Sequence, residues 1–151
     1  MTDRIEYLKA RWDQTLATAG LNKDCEANEQ FGALVDAYAE KHRKYHTLQH
    51  LEQVFRTLDD WFKTIPDRPA VELALWFHDF IYKIGADNNE RTSAYIALMY
   101  VQNMGGSKEL AEKVQHLILL TEHKAKQFVV RNGEKILITE HAGKDVEVPF
   151  D

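Results

Sequence analysis

Apolar residues recur every three or four positions along the first four-fifths of the chain, which is the spacing of helices that bury one face. A stripe of this kind predicts helices at residues 3–19 and 28–43, a third beginning near Thr47, a fourth at 68–82, a fifth from residue 88 or 89 to 104, and a sixth capped by Ser107. Gly20 follows the first stripe, where glycine accepts the left-handed backbone of a helix end. The pattern predicts an all-α fold, a compact bundle of about six helices.

The fourth predicted helix differs from the others because it is apolar nearly all round. Such a helix is expected at the centre of a fold. Asp67 is positioned to cap it, with Pro69 inside its first turn. The third helix has Thr47 as its predicted N-cap and an apolar stripe that includes His50, Leu51, Val54, Phe55, Leu58, Trp61 and Phe62.

The pattern changes after Lys124. Two apolar runs, 128–130 and 136–138, flank the sequence Arg-Asn-Gly-Glu at 131–134. Asn-Gly between apolar runs is a strong hairpin signal. We expect a small β-hairpin near the C-terminus, followed by residues 141–151 without a clear pattern.

Composition indicates a single globular domain over residues 1–151. Apolar residues make up 44% and charged residues 28% of the chain, and the net charge is −5. A mildly acidic protein lacks the clustered cations of broad nucleic-acid binding, but it can still hold a small anionic substrate through a metal.

The single cysteine, Cys25, cannot form an intramolecular disulfide, which fits a reducing cytoplasm. The charged first residues do not resemble a signal peptide, and the longest apolar run, 73–77, is too short to span a bilayer. We expect a cytoplasmic protein without a membrane segment. A homodimer is among the assemblies that the sequence allows.

His78 and Asp79 lie within the apolar fourth helix. An ionised carboxylate buried there costs several kcal/mol unless something compensates it. A bound cation would do so, since imidazole and carboxylate are ligands of several divalent metals. A buried His–Asp hydrogen bond, or an Asp–Lys pair, is the competing interpretation.

Two further histidines favour the metal interpretation. His46 and His50 are four residues apart, so they share a face if the third helix extends back to His46. His50 also falls on the apolar stripe, which predicts that it points inward toward His78 and Asp79. A solvated histidine row is the alternative, and it suits His42, which lies among Lys and Arg residues.

Four segments in order resemble the HD superfamily of metal-dependent phosphohydrolases, in particular a small bacterial branch. They are Tyr-His-Thr-Leu-Gln-His at 45–50, Trp-Phe-His-Asp at 76–79, Asp-Asn-Asn-Glu-Arg-Thr-Ser-Ala at 87–94 and Thr-Glu-His at 121–123. The resemblance covers roughly residues 38–123. It implies His50, His78 and Asp79 as metal ligands. A similar segment in cyclic-nucleotide phosphodiesterases implies that His46 is a general acid toward the leaving oxygen.

The chain departs from the superfamily at the fourth ligand. An aspartate is expected after the Thr-x-His motif, but only Asp145 and Asp151 follow, and neither lies in a recognisable helix. Asp151, the last residue, is the candidate for this ligand. The chain could therefore be a truncated form of a longer protein, in which case metal affinity and activity would be weak.

Three other residues are candidates for substrate chemistry. Glu90 could orient the attacking water, although an acidic residue in a first helical turn is also ordinary. Arg91 could hold phosphate oxygens or simply be solvated. His123 could bind substrate phosphate, but Lys124 and Lys126 make a solvated end equally consistent.

The resemblance implies hydrolysis of a small phosphate ester, a nucleotide or another phosphorylated metabolite, with Mn, Fe, Zn, Ni or Mg as the divalent ion. The first alternative is a catalytically impaired module of the same fold that binds metal or nucleotide. The second is a structural or interaction protein whose histidines are satisfied in the core.

Overall fold

A computed structural model describes residues 2–22, 24–122, 124–132, 134–141 and 144–149. The body of the molecule is helical and contains six helices over this part of the chain. They are α1 (Thr2–Ala19), α2 (Cys25–Tyr38), α3 (Leu48–Trp61), α4 (Arg68–Phe77), α5 (Asn89–Asn103) and α6 (Lys108–Leu119). Among the helices described, none combines the length and the apolar character that crossing a membrane requires.

Helix α4 lies at the centre, as its sequence predicts. It contacts α1, α3, α5 and α6. Five of its apolar side chains are buried: Ala70, Leu73, Ala74, Trp76 and Phe77. An element buried on most of its faces needs apolar residues nearly all round, which is what this sequence supplies.

Aromatic rings from three helices meet around Trp76. Its ring lies 5.3 Å from that of Trp12 in α1 and 4.7 Å from that of Phe55 in α3, measured between centroids. Phe77 packs on Trp12 in an edge-to-face arrangement at 6.2 Å. All four side chains are 1% exposed or less. Large buried rings contribute much of the core free energy of a small domain.

Glu72 is the one charged residue of α4 among those buried in the described core. It accepts hydrogen bonds from Arg11 Nη2 at 2.6 Å, Thr15 Oγ1 at 2.9 Å and Arg68 Nε at 3.0 Å. Arg11 also pairs with Asp59 of α3. This group, which we call the Glu72 network, connects α1, α3 and α4. Its bonds satisfy a carboxylate that would otherwise be costly to bury.

Helix α4 ends five residues before the predicted end at residue 82. The last α-helical bond runs from His78 N to Ala74 O, and Phe80 N then bonds to Phe77 O in an i to i+3 turn. Beyond this turn, the amide of Ile81 donates to Ser93 Oγ at 3.0 Å. His78 is therefore the C-cap residue, and Asp79 lies just beyond the helix.

Helix α2 begins at Cys25 and ends at Tyr38, so the predicted bounds of 28–43 were wrong at both ends. Asp24 supplies the N-cap by accepting from the amide of Ala27. After Tyr38 the chain turns through i to i+3 bonds, from Glu40 N to Ala37 O and from Arg43 N to Glu40 O. His46 consequently precedes α3 in a loop, and the helical i, i+4 relation with His50 does not hold.

The predicted N-caps Thr47 and Ser107 are confirmed, since their side chains accept from the amides of His50 and Leu110. Asp67 occupies the predicted position before α4 but makes no side-chain cap bond. Its backbone is left-handed, and its carboxylate pairs with Lys113. The prediction that Trp61 lies on the buried stripe was wrong. Its side chain is 79% exposed, because α3 runs past its last buried residue, Leu58.

Three strands follow the helices: β1 (Lys124–Arg131), β2 (Glu134–His141) and β3 (Lys144–Pro149). They pair antiparallel in the order β1-β2-β3. The turn residue Gly133 lies outside the described residues, so the hairpin at Asn132-Gly133 stays a prediction. Strand β3 occupies a segment in which the sequence showed no pattern.

Candidate metal centre

The ends of α3 and α4 bring together the residues that the sequence singled out. His50 lies in the first turn of α3, which the side chain of Thr47 caps. His78 and Asp79 lie at and just past the C-terminus of α4. One ligand atom from each of His50, His78 and Asp79 can be chosen so that all three lie within 4.8 Å of one another. The predicted convergence of these three side chains is therefore present.

Asp79 is held by two imidazoles. Its Oδ2 atom accepts from His46 Nδ1 at 2.7 Å and lies 2.9 Å from His78 Nε2. Burial opposes ionisation of this carboxyl, but the hydrogen bonds and charges of His46 and His78 outweigh it. They hold the pKa of Asp79 well below its ordinary value. Asp79 is thus a carboxylate at neutral pH, in the form that binds cations.

His78 is oriented by a backbone carbonyl. Its Nδ1 donates to Leu75 O at 2.7 Å, which leaves Nε2 facing Asp79. Burial disfavours the imidazolium, yet the hydrogen bond and charge of Asp79 outweigh burial and raise the pKa of His78; the charge of Glu90 adds to this. A metal ligand with its second nitrogen bonded to a carbonyl is a recurrent arrangement. Binding there would displace the Nε2 proton.

His50 has the opposite electrostatic character. Burial, followed by the neighbouring charge of His46, lowers the pKa of His50. Its imidazole is therefore neutral at physiological pH, which is the form that donates a lone pair. The Tyr45 ring lies tilted over it, with the centroids 4.5 Å apart.

Arg43 is a site residue that the sequence analysis missed. It is buried, and its Nη1 and Nη2 donate to Asp79 O at 2.6 Å and Phe80 O at 2.8 Å. Its guanidinium also lies over the rings of Tyr38 and Tyr82, at 5.2 and 5.6 Å. Arg43 therefore fixes the backbone that carries Asp79. No local pattern marks it, because it stands among charged residues that resemble a solvated turn.

Two of the remaining predicted residues, Glu90 and Arg91, lie at the start of α5. Glu90 lies at the start of α5, close enough for its charge to act on His78. Arg91 pairs with Glu122 at 3.0 Å and donates to Asp87 O, so its guanidinium is held at the start of α5. His123 and Asp151 lie outside the described residues, and their predicted roles stay predictions.

Two cavities flank the cluster. The first, of about 390 Å³, is a groove between α3 and α4 with His50 on its wall, and we call it the α3–α4 groove. The second, of about 280 Å³, lies between α4 and α6 with His78 on its wall. Val71 and Leu75 of α4 line both. The cluster is thus open to two mostly apolar spaces.

The donor set fits a divalent cation. Two imidazoles and one carboxylate are ligands of zinc and of the first-row transition metals. His78 Nε2 and Asp79 Oδ2 lie 2.9 Å apart, which is a hydrogen-bond distance, and the ligand atoms of all three residues lie within 4.8 Å of one another.

Comparisons with known proteins give no further identification. No family model matches the chain, and neither the curated proteins nor the solved structures contain a match.

Proposed function

We propose that this chain is a metal-dependent phosphohydrolase of the HD superfamily, acting on a small phosphate ester. The observation that carries the proposal is the convergence of His50, His78 and Asp79 within 4.8 Å from the ends of two packed helices. A bound divalent ion would neutralise phosphoryl oxygens and lower the pKa of water at the site.

The chain's own residues supply the proton chemistry in this proposal. Hydrolysis breaks the P–O bond to the leaving group and forms a P–O bond to the water oxygen, and the leaving oxygen takes a proton. We assign that proton to His46. Its Nδ1 is bonded to Asp79, so Nε2 is the nitrogen that would donate to the leaving oxygen. Glu90 would receive the proton from the attacking water.

Elemental analysis and a thermal shift test the metal part of the proposal. We expect the purified protein to gain about 2–4 °C in Tm for each kcal/mol of linked binding of Mn, Zn or Ni. His50→Ala and His78→Ala should lose this shift. His116→Ala, which replaces an exposed histidine on α6, is the matched control and should keep it.

A panel of phosphate esters tests the enzymatic part. The metal-loaded protein should release phosphate or a monoester, and His46→Ala should lower kcat by about 10²–10⁴ while metal binding is retained. If no ester is turned over, or His78→Ala matches the wild type, the enzymatic proposal fails.

One observation favours a second candidate, a structural or interaction protein whose histidines are satisfied in the core. His46 and His78 already satisfy Oδ2 of Asp79 without an ion. Absence of both metal and thermal shift would support this candidate. Tight binding of metal or nucleotide without turnover would indicate instead a binding module without catalysis. The cytoplasmic location expected from the sequence remains part of the proposal.

A further inference from the structure

We propose that the α3–α4 groove is the subsite for the organic group of the ester, and that it selects a neutral aromatic ring. This inference rests on the proposed function because it takes the cluster of His50, His78 and Asp79 as the phosphate end of the site.

The groove is continuous with the cluster. His50 forms part of its wall, and Tyr45, which packs over His50 at 4.5 Å between centroids, forms another part. An ester whose phosphate lies at the cluster therefore has the groove directly beside it. Its volume of about 390 Å³ lies within the usual range for small-ligand pockets.

The lining of the groove is apolar or neutral. Val54, Leu58, Val71 and Leu75 supply the apolar wall, and Gln53 and Thr57 supply uncharged polar groups. Among the described residues that line it, none is Lys, Arg, Asp or Glu. A charged or polyhydroxylated group placed there would lose hydration without compensation. An apolar group would gain free energy by leaving water.

Two exposed aromatic side chains on the groove indicate that the organic group of the ester contains an aromatic ring. Tyr45 is 67% exposed and Phe62 is 54% exposed, and both border the space. Aromatic faces that remain in water favour stacking or edge contacts with another ring. Thr57 and Gln53 can form a hydrogen bond with a heteroatom on that ring, but a ring without a heteroatom also fits.

The other cavities fit this role less well. The cavity between α4 and α6 is smaller, at about 280 Å³, and the described residues that line it include no Phe, Tyr or Trp. The surface cavity beside Tyr82 has Glu40 and Lys83 on its wall and contains none of His50, His78 or Asp79. The α3–α4 groove alone among these three combines a candidate ligand with aromatic walls.

The test compares esters that differ in the ring and share a primary alkoxide leaving group. We expect the metal-loaded wild type to hydrolyse 2-phenylethyl phosphate with kcat/KM about tenfold higher than ethyl phosphate. Glycerol 3-phosphate should resemble ethyl phosphate. A nucleoside 5′-monophosphate, run alongside, distinguishes recognition of a ring alone from recognition of a ring with its ribose.

Variants on α3 localise the preference. Thr57→Trp fills the groove and should reduce the ratio of the two kcat/KM values to about one. Asp60→Trp places the same bulk on an exposed position of the same helix, away from the groove lining, and should keep the wild-type ratio. Phe62→Ala is a second groove variant, in case Thr57→Trp does not fold, and should lower the ratio about threefold.

Binding of non-hydrolysable phosphonates separates this inference from the proposed function. Tighter binding of 2-phenylethyl phosphonate than ethyl phosphonate, abolished by Thr57→Trp, supports the groove even if no ester is hydrolysed; hydrolysis would then be the part that fails. Equal kcat/KM for the two esters overturns the groove and leaves hydrolysis standing. Equal or undetectable binding of the two phosphonates, without turnover, overturns both.

Discussion

Arg43 shows how one side chain can set the geometry of a site that it does not directly enter. Its guanidinium bonds the carbonyls of Asp79 and Phe80, past the C-terminus of α4. Arginine is suited to this position because its planar fork reaches two acceptors at once while stacking on rings. Tyr38 and Tyr82 supply those rings.

Replacing Arg43 by lysine should therefore be costly. Arg43→Lys loses one of the two carbonyl bonds and the stacked plane, and we expect about 1–3 kcal/mol lower free energy of unfolding. Metal affinity should also fall, because the backbone of Asp79 loses its support. Urea denaturation and metal titration measure the two effects. Arg56→Lys should cost less than Arg43→Lys, because the Arg56 guanidinium, although it lies over the Tyr7 ring, belongs to a side chain that is 56% exposed.

At the residue scale, the sequence predicted the kind of partner that Asp79 needs better than it predicted which distant residues come into contact. The cost of burying Asp79 predicted a positively charged or hydrogen-bonding partner, and His46 and His78 fill that role. The contacts of Arg43 with Asp79, Phe80 and Tyr82 could not be predicted. They join residues that are 36 or more positions apart in sequence, and single-sequence patterns carry only local spacing.

At the scale of elements, the Glu72 network fixes α1 against α4. The Arg11 and Glu72 side chains are 7% and 6% exposed. Arg11→Met would leave Glu72 buried without its main partner, and we expect a loss of about 3–5 kcal/mol in urea unfolding. Lys108→Met, which removes an exposed i, i+4 pair, should cost less than about 0.5 kcal/mol.

The double variant Arg11→Met/Glu72→Met tests whether the loss of stability in Arg11→Met comes from the buried charge of Glu72. If the large loss comes from an uncompensated carboxylate, the second substitution should restore much of it. Additive losses would show instead that packing of the side chains, not charge, holds the helices together.

Asp59 gives the same network a pH dependence. Burial opposes its ionisation, but the hydrogen bond and charge of Arg11, followed by the charge of Arg68, lower the pKa of Asp59 in the folded protein. Its contribution to stability is therefore present above the unfolded pKa of about 3.9 and is lost as the pH falls through the folded pKa. The wild type should exceed Asp59→Asn in urea midpoint at pH 7, and the gap should close in acid. Asp60→Asn, which removes an exposed carboxylate from the same helix, should change the urea midpoint at pH 7 by less than Asp59→Asn does.

Helix centres were predictable, and so were the ends marked by a capping side chain, Thr47 and Ser107, but the ends of α2 and α4 were not. The stripes of α3 and α4 identified buried Leu51, Phe55 and Leu73 because amphipathic periodicity reports burial. The turn that follows α4 is joined to α5, because the amide of Ile81 donates to Ser93 Oγ. A tertiary bond of this kind leaves no trace in local propensity.

For the whole molecule, Trp76 and Trp61 form a natural pair of probes. Trp76 is 1% exposed amid Trp12, Phe31 and Phe55, whereas Trp61 is 79% exposed. Trp76→Ala should lower the free energy of unfolding by about 3–5 kcal/mol. Trp61→Ala should change it by less than about 0.5 kcal/mol in the same denaturation assay. A large effect of Trp61→Ala would mean that this side chain is covered in solution.

The helical architecture could be predicted as a whole because one apolar helix requires others to cover it. The identity of the helices that cover α4 could not be predicted, since amphipathic stripes do not specify partners. The Glu72 network is an example: Glu72 lies in the apolar sequence of α4, but its network partners Arg11 and Asp59 are 61 and 13 positions away.

Leu75 has two roles that belong to different atoms. Its backbone oxygen orients the His78 ring, whereas its side chain, like that of Val71, lines the spaces on both sides of α4. Shortening the side chain would enlarge these spaces and leave the carbonyl where it is. Substitutions at position 75 can therefore change the size of the compounds that fit without disturbing the orientation of His78. Substitutions of the histidines would change both at once.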